Sequence, residues 1–571
     1  MKSPCDAPPI PSGVRRVFAG PGAAWLLFLA TACVAAPPPS GRNIAEAGAV
    51  ADGKTPNTAV INRVIDEAAA AGGGVVYVPP GVYLTGTIYL KSRVTLHLEN
   101  GAVLLGSTDL QDYPENPAPT PTDTLEFRRY RLIYPASLEF GRHSLVHADG
   151  QHDVAIVGEG CIDGQGNHTN FTKKDLEARG VSPRDAYLKR PYGLCFVRCT
   201  GVQVRGITLR NLAFWSQDYL DCDGVLVDGV TVDSKKFDYN NDGIDIDGSR
   251  HVRVTNCYFN VGDDAICLKA SYRDCEDVLV TNCVCSSLAN GIKFGTASNG
   301  GFKNIAISNI TMDGINAAGL ALEIVDGGTM DGVAVSNIAM NRVGAALFVR
   351  LGDRGSQWMT KVDSDGQPNT VGILRNVSID NIVANLGSND PRPFAASITG
   401  LPGHPVEHVS ISNVRIVSHH PHTLAEADGI DPAAIPEQAG EYPEYSMFGP
   451  LPAYGLYIRH ARGVTLRNID VRFSTADYRS ALVADDVQDL DVDDWKSRVQ
   501  PGSRPVILLR NVKGARLRGG AAPAGTGTYL RVEGDSADIF LTGTDLAHAE
   551  TAVALDPKLP PSVVAESANR R

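Results

Sequence analysis

A repeated pattern of alternating apolar residues, closed by an asparagine, constrains the fold of this 571-residue chain more than any other feature. Seven segments share the pattern, among them "VRVTN", "VLVTN" and "IAISN". The closing asparagines are Asn256, Asn282, Asn309, Asn337, Asn381, Asn413 and Asn468. The first three intervals between them are 26, 27 and 28 residues long, and the later intervals are longer. Much of the chain therefore consists of copies of one short unit.

Each unit predicts a short strand, whose apolar face cannot be buried by one copy alone. Strands that recur with a period in the twenties indicate a stack of β coils. Leucine-rich repeats share this period, but their leucine consensus is absent. We therefore predict an all-β fold, a single-stranded right-handed parallel β-helix. The asparagines are expected at an inward turn, where their amides bond to the copies above and below.

The repeat also indicates the domain boundaries. The segment "NTAVINRVIDEAAAAGG" has helical spacing and predicts a helix that caps the N-terminal end of the solenoid. Two stretches, residues 107–145 and 418–456, depart from the rhythm and are expected to emerge as loops on the binding face. We expect the β-helix to span residues 41–545 and residues 546–571 to form a loose tail.

The first 36 residues predict an export signal. Arg15 and Arg16 precede the apolar run "AAWLLFLATACVAA", which is too short to span a bilayer. The segment faintly resembles twin-arginine and lipoprotein signals, so a lipid anchor at Cys33 is an alternative. We expect the protein to be periplasmic, on the outer surface or extracellular. No later stretch predicts a membrane span.

Charge and cysteine usage exclude some partners. The net charge of −12 and the lack of a basic tract argue against nucleic-acid binding. Nine of the 11 cysteines fall between Cys161 and Cys285, in strand-like settings. Their odd number favours buried, stacked thiols, with one or two disulfides as the alternative. Zinc is disfavoured because the repeated CxxC spacing is lacking.

Five aspartates are crowded into "NNDGIDIDG" and "VGDDAICLK". They are Asp242, Asp245, Asp247, Asp263 and Asp264. Asp242 and Asp263 are 21 residues apart, about one coil, so Asp242 is expected beside the Asp263–Asp264 pair. Gly262 indicates a bend that lets both members of the pair reach outward. Such crowding perturbs pKa values and indicates function. A stack of turn-forming aspartates is the structural alternative.

Two chemistries suit such a cluster. Inverting glycoside hydrolysis needs one protonated carboxyl and one carboxylate that activates water. Calcium-assisted β-elimination would need carboxylate ligands and a basic side chain, and no arginine flanks the cluster at matching offsets. Hydrolysis is therefore favoured. A uronate lyase and a non-catalytic carbohydrate-binding β-helix remain alternatives.

The motifs "NNDGIDI" and "GDDAICLK", one coil apart, resemble the signature of glycoside hydrolase family 28, the polygalacturonases and rhamnogalacturonan hydrolases. "GGGVVYVPPGVYLTG" and "GEGCIDGQG" are also similar to that family, over about residues 43–475. The resemblance implies a right-handed parallel β-helix and metal-independent, inverting hydrolysis of pectic polysaccharide. By position, Asp263 would be the general acid, and Asp242 and Asp264 would hold and activate the water.

Two departures from the family pattern bear on specificity. Asn290, in "ANGIKFGT", stands where the family usually has a histidine. Glu323 and Val325, in "ALEIVDGG", stand where polygalacturonases carry an arginine and a lysine that bind a galacturonate carboxylate. An anion in place of cations should repel a uronate there. We therefore expect rhamnogalacturonan-type or decorated pectin to be slightly preferred over homogalacturonan.

Other polar residues are candidate substrate contacts. The full set is Asn290, Lys293, Lys269, Arg350, Arg354, Arg459 and His460. The last two follow a run of aromatic residues in "YPEYSMFGPLPAYGLYIRH", which predicts a sugar-stacking wall, with simple packing of the loop as the alternative. For Lys269, Lys293, Arg350 and Arg354, a solvated surface charge is the alternative. We expect a monomer that acts on pectic polysaccharide or oligosaccharide.

Overall fold

The computed structural model describes residues 41–116, 143–182, 185, 189–235, 240–271, 273–357, 370–387 and 394–571. The predicted export signal, with Cys33, and most of the first predicted insertion lie outside the described residues. The second predicted insertion, residues 418–456, is described in full.

The described residues form strands and a few short helices. The strands of the first coils are β1 Arg42–Asn43, β2 Asp52–Pro56, β3 Gly74–Val78, β4 Gly81–Thr85, β5 Ile88–Tyr89, β6 Val94–Leu98, β7 Ala102–Gly106, β8 Ser144–Asp149, β9 Ala155–Gly158 and β10 Cys161–Asp163. Those of the middle coils are β11 Tyr192–Val197, β12 Thr200–Arg205, β13 Thr208–Arg210, β14 Gln217–Leu220, β15 Asp223–Asp228, β16 Thr231–Ser234, β17 Ile244–Asp247, β18 Arg250–Thr255, β19 Tyr258–Val261, β20 Ile266–Ala270, β21 Asp274–Ser287 and β22 Ile292–Ser298.

The later strands include several that bend through more than one side of the coil. They are β23 Gly301–Ile324, β24 Thr329–Leu351, β25 Ile373–Leu386, β26 Ala396–Thr399, β27 Val406–Ser418, β28 Ala453–Phe473, β29 Ser480–Lys496, β30 Ile507–Arg510, β31 Lys513–Arg518, β32 Thr526–Glu533, β33 Ala537–Thr542, β34 Ala549–Leu555 and β35 Val564–Ser567. The helices are α1 Thr58–Ala70, α2 Lys173–Ala178 and α3 Leu424–Asp428, with 3-10 turns at Leu110–Asp112, Arg354–Gln357, Pro432–Ala434 and Pro561–Val563.

Each coil contributes one strand to each of three parallel sheets. Strand β11, for example, pairs with β8 on one side and β14 on the other, whereas β12 pairs with β9 and β15. The paired strands of the solenoid run parallel, and right-handed crossovers are the rule for such connections. The predicted all-β, right-handed parallel β-helix is confirmed.

The core is made by stacking the same inward position on successive coils. Ile244 pairs in register with Ile266, which pairs with Ile292, which pairs with Leu320. All four side chains are buried. The neighbours of these residues along each strand point to the opposite, outer face of the same sheet. Polar residues of successive coils can meet there. We call this outer side of the β8–β11–β14–β17–β20–β22 sheet the outer face.

The predicted N-terminal helix is present as α1. Its apolar stripe of Ile61, Val64, Ile65 and Ala68 is buried. The helix packs against the first strands β3, β5 and β6. It ends before Gly72, whose φ of 96° is a left-handed conformation that glycine adopts without strain.

The C-terminal residues differ from the prediction. Strands β34 and β35 pair in parallel with β32 and β33, so the β-helix continues beyond residue 545. The predicted loose tail is therefore wrong. The alternation in "TAVAL" and "VVAES" is too short to predict a strand by itself, but the preceding coil presents backbone groups that pair with it.

The predicted hydrogen bonds between asparagines of successive coils are confirmed, but the predicted inward direction of their side chains is wrong. The amide of Asn282 donates to Asn256 Oδ1 at 3.3 Å, and that of Asn309 donates to Asn282 Oδ1 at 3.2 Å. These residues have φ between 57° and 59° and are exposed, not inward. The turn requires a residue in the left-handed conformation, which asparagine tolerates.

The cysteines agree with the prediction of buried thiols. All nine cysteines from Cys161 to Cys285 are free, and all but Cys161 are buried. Burial raises the pKa of the Cys195 and Cys275 thiols, which keeps them protonated. Among the described residues, no helix has the length and apolar character needed to cross a membrane.

Candidate active site

Asp242, Asp264 and Asn290 occupy the same position on three successive coils. The amide of Gly243 donates to the carbonyl of Asp264 at 2.9 Å, and that of Ala265 donates to the carbonyl of Asn290 at 2.9 Å. Asp242 is therefore stacked on Asp264, one residue later than the 21-residue spacing predicted. A Cβ at Gly243 would lie 2.4 Å from the Ala265 carbonyl oxygen, so glycine permits the close approach of the two coils.

Asp263 lies beside this stack and is more exposed than Asp242 and Asp264, which are 3% and 4% exposed. Its carboxylate accepts hydrogen bonds from the amides of Asn240 at 2.7 Å and Asp264 at 3.0 Å. Electrostatic interactions link Asp263 with both Asp242 and Asp264. The three predicted catalytic aspartates thus form one cluster.

The cluster cannot hold full negative charge on every carboxyl. Burial raises the pKa of Asp242 well above its ordinary range, and the neighbouring charges of Asp245 and Asp263 raise it further. Burial also raises the pKa of Asp263, together with the charge of Asp264. Buried carboxyls that repel one another share protons, because ionising all of them is costly. The cluster can therefore supply a proton as well as accept one.

A second polar column runs parallel to the first on the outer face. In register order it consists of Asp218, Asp245, Cys267 and Lys293. Lys269 forms a buried ion pair with Asp245 at 3.3 Å, and its Nζ lies 4.6 Å from the ring centre of Trp215. Burial raises the pKa of Asp245 to about 7. Sequence reasoning missed Asp218, Cys267 and Trp215, although the one-coil spacing from Asp245 could have indicated the first two.

The predicted lysines lie within the cluster. Lys293 Nζ is 3.5 Å from Asp264 Oδ2, and both groups are buried. Lys269 Nζ is 3.2 Å from Cys267 Sγ and 3.4 Å from the carbonyl oxygen of Gly295. Both lysines are therefore held by residues of the site itself.

Asn290 is engaged by the protein rather than directed at a substrate. Its side-chain amide donates to Asp264 Oδ1 at 2.8 Å, and its backbone amide donates to the same oxygen at 3.1 Å. Its Oδ1 accepts from the amide of Ala318 at 3.1 Å. The predicted substrate contact is better described as a positioning residue for Asp264.

Three other predicted contacts hold the second insertion on the β-helix. Arg350 donates to the carbonyl oxygens of Glu437 and Gln438 at 2.7 and 3.0 Å. Arg459 forms an ion pair with Glu437, and His460 lies between Glu437 and Asp486. The prediction that Arg350, Arg459 and His460 bind substrate is not supported by these contacts. The sequence did not predict these contacts because they depend on the path of a loop that is distant in sequence.

Arg354 is likewise committed to a protein partner. Its guanidinium forms a buried ion pair with Asp326, with Nε 2.9 Å from Oδ1. The guanidinium also lies 5.8 Å from the ring centre of Tyr442. Arg354 therefore supports the edge of the site, where Tyr442 is half exposed.

The second insertion covers the outer face beyond the aspartates. Apolar side chains from the insertion, from strands β23, β24, β28, β29 and β30, and from the residues just before β26 form a cluster there. We call it the outer apolar cluster. It consists of Ala317, Ala318, Ala321, Ala345, Phe348, Phe394, Ala395, Ile435, Tyr445, Phe448, Leu451, Ala453, Tyr457, Val483 and Leu508. Part of the predicted aromatic wall is therefore packed against the solenoid.

Tyr442, in the second insertion, contacts the edge of the site. Its hydroxyl lies 3.3 Å from Lys293 Nζ and accepts a hydrogen bond from Thr296 Oγ1 at 2.8 Å. Glu444, two residues later, interacts electrostatically with Lys293 and Asp264. The insertion thus contributes an aromatic ring and a carboxyl at the edge of the aspartate cluster.

Glu323 is buried at the same edge. It is 1% exposed, and within the described chain its Oε2 has no hydrogen-bond partner. Burial raises its pKa to about 8, against the opposing effect of Lys293. Val325 is also buried. Arg350 pairs in register with Glu323, but its guanidinium is directed to the insertion.

The polar residues of the outer face therefore form a short window between apolar regions. On the N-terminal side lies a cluster of Tyr192, Cys195, Val197, Phe214 and Trp215. On the C-terminal side, the column that contains Lys293 continues as Ala321 and Phe348 of the outer apolar cluster. The polar window, defined by Asp218, Asp245, Cys267 and Lys293, spans four coils, roughly 15 Å along the axis.

The chain is similar to known carbohydrate-degrading proteins. The profile of Glycosyl hydrolases family 28 matches residues 134–430, and that of Rhamnogalacturonase A/epimerase, pectate lyase-like, matches residues 41–100. A probable polygalacturonase of Vitis vinifera is 26% identical over 433 residues, 70% of this chain and 80% of that protein. An exo-poly-alpha-D-galacturonosidase of Dickeya chrysanthemi is 32% identical over 260 residues, 39% of this chain and 41% of that protein.

Solved structures support the same fold. A Thermotoga maritima exopolygalacturonase aligns with a TM-score of 0.54 and 21% identity, over 76% of this chain and 93% of that one. A Yersinia enterocolitica family 28 exopolygalacturonase aligns with a TM-score of 0.55 and 20% identity, over 83% and 78%. The family 28 profile covers more than half of the chain and includes the aspartate cluster. The protein is therefore a member of glycoside hydrolase family 28, a polygalacturonase-like pectin hydrolase.

Proposed function

We propose that the protein is an exported hydrolase that cleaves pectic polysaccharide with inversion at the anomeric carbon and without a metal. Asp263 is the general acid, and Asp242 with Asp264 activates the water. The observation that carries this proposal is the stack of Asp242 on Asp264 with Asp263 beside it. One member of such a cluster can hold a proton while another is ionised, as inverting hydrolysis requires.

The environments of the three carboxyls support different roles. Asp263 is the most exposed of them, and its raised pKa suits a group that protonates the leaving glycosidic oxygen. Asp264 Oδ1 accepts hydrogen bonds from two N–H groups of Asn290, and Lys293 Nζ lies 3.5 Å from Oδ2, so the position of this carboxyl is fixed beside Asp242. Asp242 Oδ1 has no hydrogen-bond partner within the described chain, so it is available to a water.

The reaction then follows from these positions. Asp263 gives its proton to the glycosidic oxygen as the bond to the anomeric carbon breaks. The water held by Asp242 and Asp264 attacks that carbon from the opposite face and leaves one proton with the two carboxyls. The product is a new reducing end of inverted configuration. Proton exchange with solvent restores Asp263.

The charge at the edge of the polar window favours a neutral sugar there. Glu323 and Glu444 lie near Lys293, which already pairs with Asp264. A uronate carboxylate would meet these acids with few uncommitted cations, whereas a rhamnose or a decorated unit can accept a hydrogen bond from a protonated Glu323. Galacturonate units, which the names of the polygalacturonase relatives imply, would then occupy other subsites near Lys269.

The short window favours action near a chain end. A polysaccharide that lies along the axis would meet the outer apolar cluster within about four coils. The described insertion thus limits the number of sugar units that can bind on the C-terminal side. We propose release of short products rather than random internal cleavage.

The test is a set of hydrolysis reactions on purified pectic fractions, with the products sized and their anomeric configuration followed by proton NMR. We expect inversion, short products from the first minutes, faster cleavage of rhamnogalacturonan than of polygalacturonate, and full activity in chelator. An unsaturated, ultraviolet-absorbing product that requires calcium would identify a lyase, and unaltered glycans would identify a carbohydrate binder. Fractionation of producing cells tests export, and gel filtration tests the expected monomer.

A further inference from the structure

A thiol lies against the two water-holding carboxyls. Cys267 is on the coil of Asp264, and its Sγ is 4.0 Å from Asp264 Oδ2. One oxygen of Asp242, one oxygen of Asp264 and the Sγ of Cys267 all lie within 4.8 Å of one another. The three side chains are 3%, 4% and 0% exposed. Cys267 has no part in the hydrolysis described above.

One atom of this group lacks a partner. Asp242 Oδ1 is buried and accepts no hydrogen bond from the described residues. A buried, unsatisfied carboxyl oxygen is costly, and a bound water or a cation would remove that cost. This observation is independent of the clustering, and it distinguishes the group from a set of mutually satisfied acids.

The charges around the group suit a divalent cation. Two carboxylates and one thiolate carry three negative charges, one more than a divalent cation neutralises. Lys269 Nζ lies 3.2 Å from Cys267 Sγ, and Lys293 Nζ lies 3.5 Å from Asp264 Oδ2. These ammonium groups would act as outer-shell donors to two of the ligand atoms and balance the remaining charge.

We propose that Asp242, Asp264 and Cys267 form a binding site for a thiophilic divalent cation, Zn²⁺ in particular, and that occupancy of this site stops hydrolysis. Three ligands from N, O and S donors with an open fourth position are typical of zinc, whereas calcium and magnesium prefer oxygen ligands alone. Binding forms a Zn–S bond at Cys267 and releases two protons to solvent: the thiol proton, which now faces the Gly295 carbonyl oxygen, and the proton that the Asp242 carboxyl holds.

The inhibition follows from the shared ligands. Asp242 and Asp264 cannot hold a nucleophilic water in the required position while both coordinate a metal. Inhibition therefore rests on the proposed function, but metal binding does not. Zinc should compete with substrate and be removed by chelator, so that chelator leaves activity unchanged or raises it.

The binding test uses Co²⁺ as a spectroscopic substitute for zinc on the purified, chelator-treated protein. We expect one equivalent of Co²⁺ to produce a thiolate-to-cobalt charge-transfer band, and Zn²⁺ to displace it. Cys267→Ser should abolish the band. Cys161→Ser, which changes the partly exposed thiol outside this group, should retain it. X-ray absorption of the zinc-loaded wild type should show one sulfur ligand, and this measurement stands even if Cys267→Ser does not fold.

The inhibition test measures the Zn²⁺ concentration that halves the hydrolysis rate. Loss of an inner ligand should raise that concentration at least about tenfold in Cys267→Ser, since even outer-shell changes cost 10–100-fold in metal affinity. No charge-transfer band together with no sulfur ligand overturns the site. A band without inhibition overturns the inhibitory role but leaves the site. Zinc-dependent activity overturns both the inhibition and the metal-independent mechanism.

Discussion

The polar window and the outer apolar cluster occupy the same outer face of one continuous sheet, yet they have opposite characters. In the window, Asp245 and Cys267 alternate with inward Ile244 and Ile266. A few coils later, Phe348 takes the equivalent outer position and is covered by the second insertion. The backbone pairing is the same in both regions. The outer side chains alone distinguish the polar window from the packed interface.

The difference implies that the outer apolar cluster contributes mainly to stability, whereas the polar window contributes mainly to chemistry. In the outer apolar cluster, burial of both faces of the sheet adds apolar contacts to those of the solenoid core. In the window, buried acids and cations occupy the equivalent outer positions, and in the aspartate cluster beside it burial raises the pKa of Asp242 and Asp263. We therefore expect substitutions in the window and in the aspartate cluster beside it to change activity more than stability. Substitutions in the outer apolar cluster should change stability more than activity.

The largest effect is expected from the aspartate cluster beside the window. Asp263→Asn should lower cleavage of a natural glycan by about 10²–10⁴-fold, because the proposed general acid is lost. It should lower cleavage of an aryl glycoside with a good leaving group much less, whereas Asp242→Asn should lower both. Initial rates on the two substrates measure this contrast.

The control for these variants is Asp233→Asn, which changes an exposed aspartate on another side of the solenoid. It should leave both rates unchanged, and melting curves of all three variants should match the wild type. If the Asp263→Asn and Asp242→Asn variants are folded and fully active, the aspartate cluster is a structural stack of turns.

The outer apolar cluster should show the opposite response. Phe348→Ala removes a ring that is 1% exposed and should cost about 3–5 kcal/mol of stability through the cavity that it leaves. The matched variant Phe540→Ala, at a ring that is 45% exposed, should change stability by about 0.5 kcal/mol or less. Thermal unfolding measures both. Equal melting temperatures for the two variants would contradict the separate roles of the regions.

Asn290 should affect rate through Asp264 rather than through substrate binding. Asn290→Ala removes a hydrogen bond to a charged carboxylate, worth about 1.5–3 kcal/mol, and should lower kcat by about 10–100-fold. The KM should change little, because no substrate contact is lost. Asn260→Ala, at a half-buried surface amide bonded to Asp233, is the control. An increase in KM with unchanged kcat would restore Asn290 as a substrate contact.

Glu323 is expected to affect the pH dependence of stability. Its pKa is about 8 in the folded chain against 4.5 for the free side chain, so the folded state holds a proton that the unfolded state has lost between those pH values. Its contribution to stability is therefore fully present below pH 4.5 and falls as the pH rises toward about 8.

Glu323→Gln should remove this dependence. Its melting temperature relative to that of the wild type should rise as the pH increases from 4.5 to about 8. Glu550→Gln, at an exposed glutamate in β34, should show a constant difference. A constant difference for Glu323→Gln as well would mean that Glu323 is already ionised in the folded chain.

The sequence alone determined the solenoid and the region of its active site. Alternation of apolar residues with a period of 26 to 28 leaves each strand unable to bury its face except by stacking, so the fold class follows from the repeat. Carboxyls one coil apart must then meet on neighbouring coils. For this reason Asp242, Asp263 and Asp264 could be grouped before their positions were known.

The tertiary structure decided the exact partners. Asp242 stacks on Asp264 rather than Asp263 because the register depends on how the turns between strands fold, and a shift of one residue changes the pairing. The second insertion is bound by Arg350, Arg459 and His460, which were expected to contact a substrate. A polar side chain bonds to the loop that packs against it, and the sequence does not show which loop that is. Periodicity predicts contacts between neighbouring coils, whereas the path of a loop depends on packing between residues far apart in sequence.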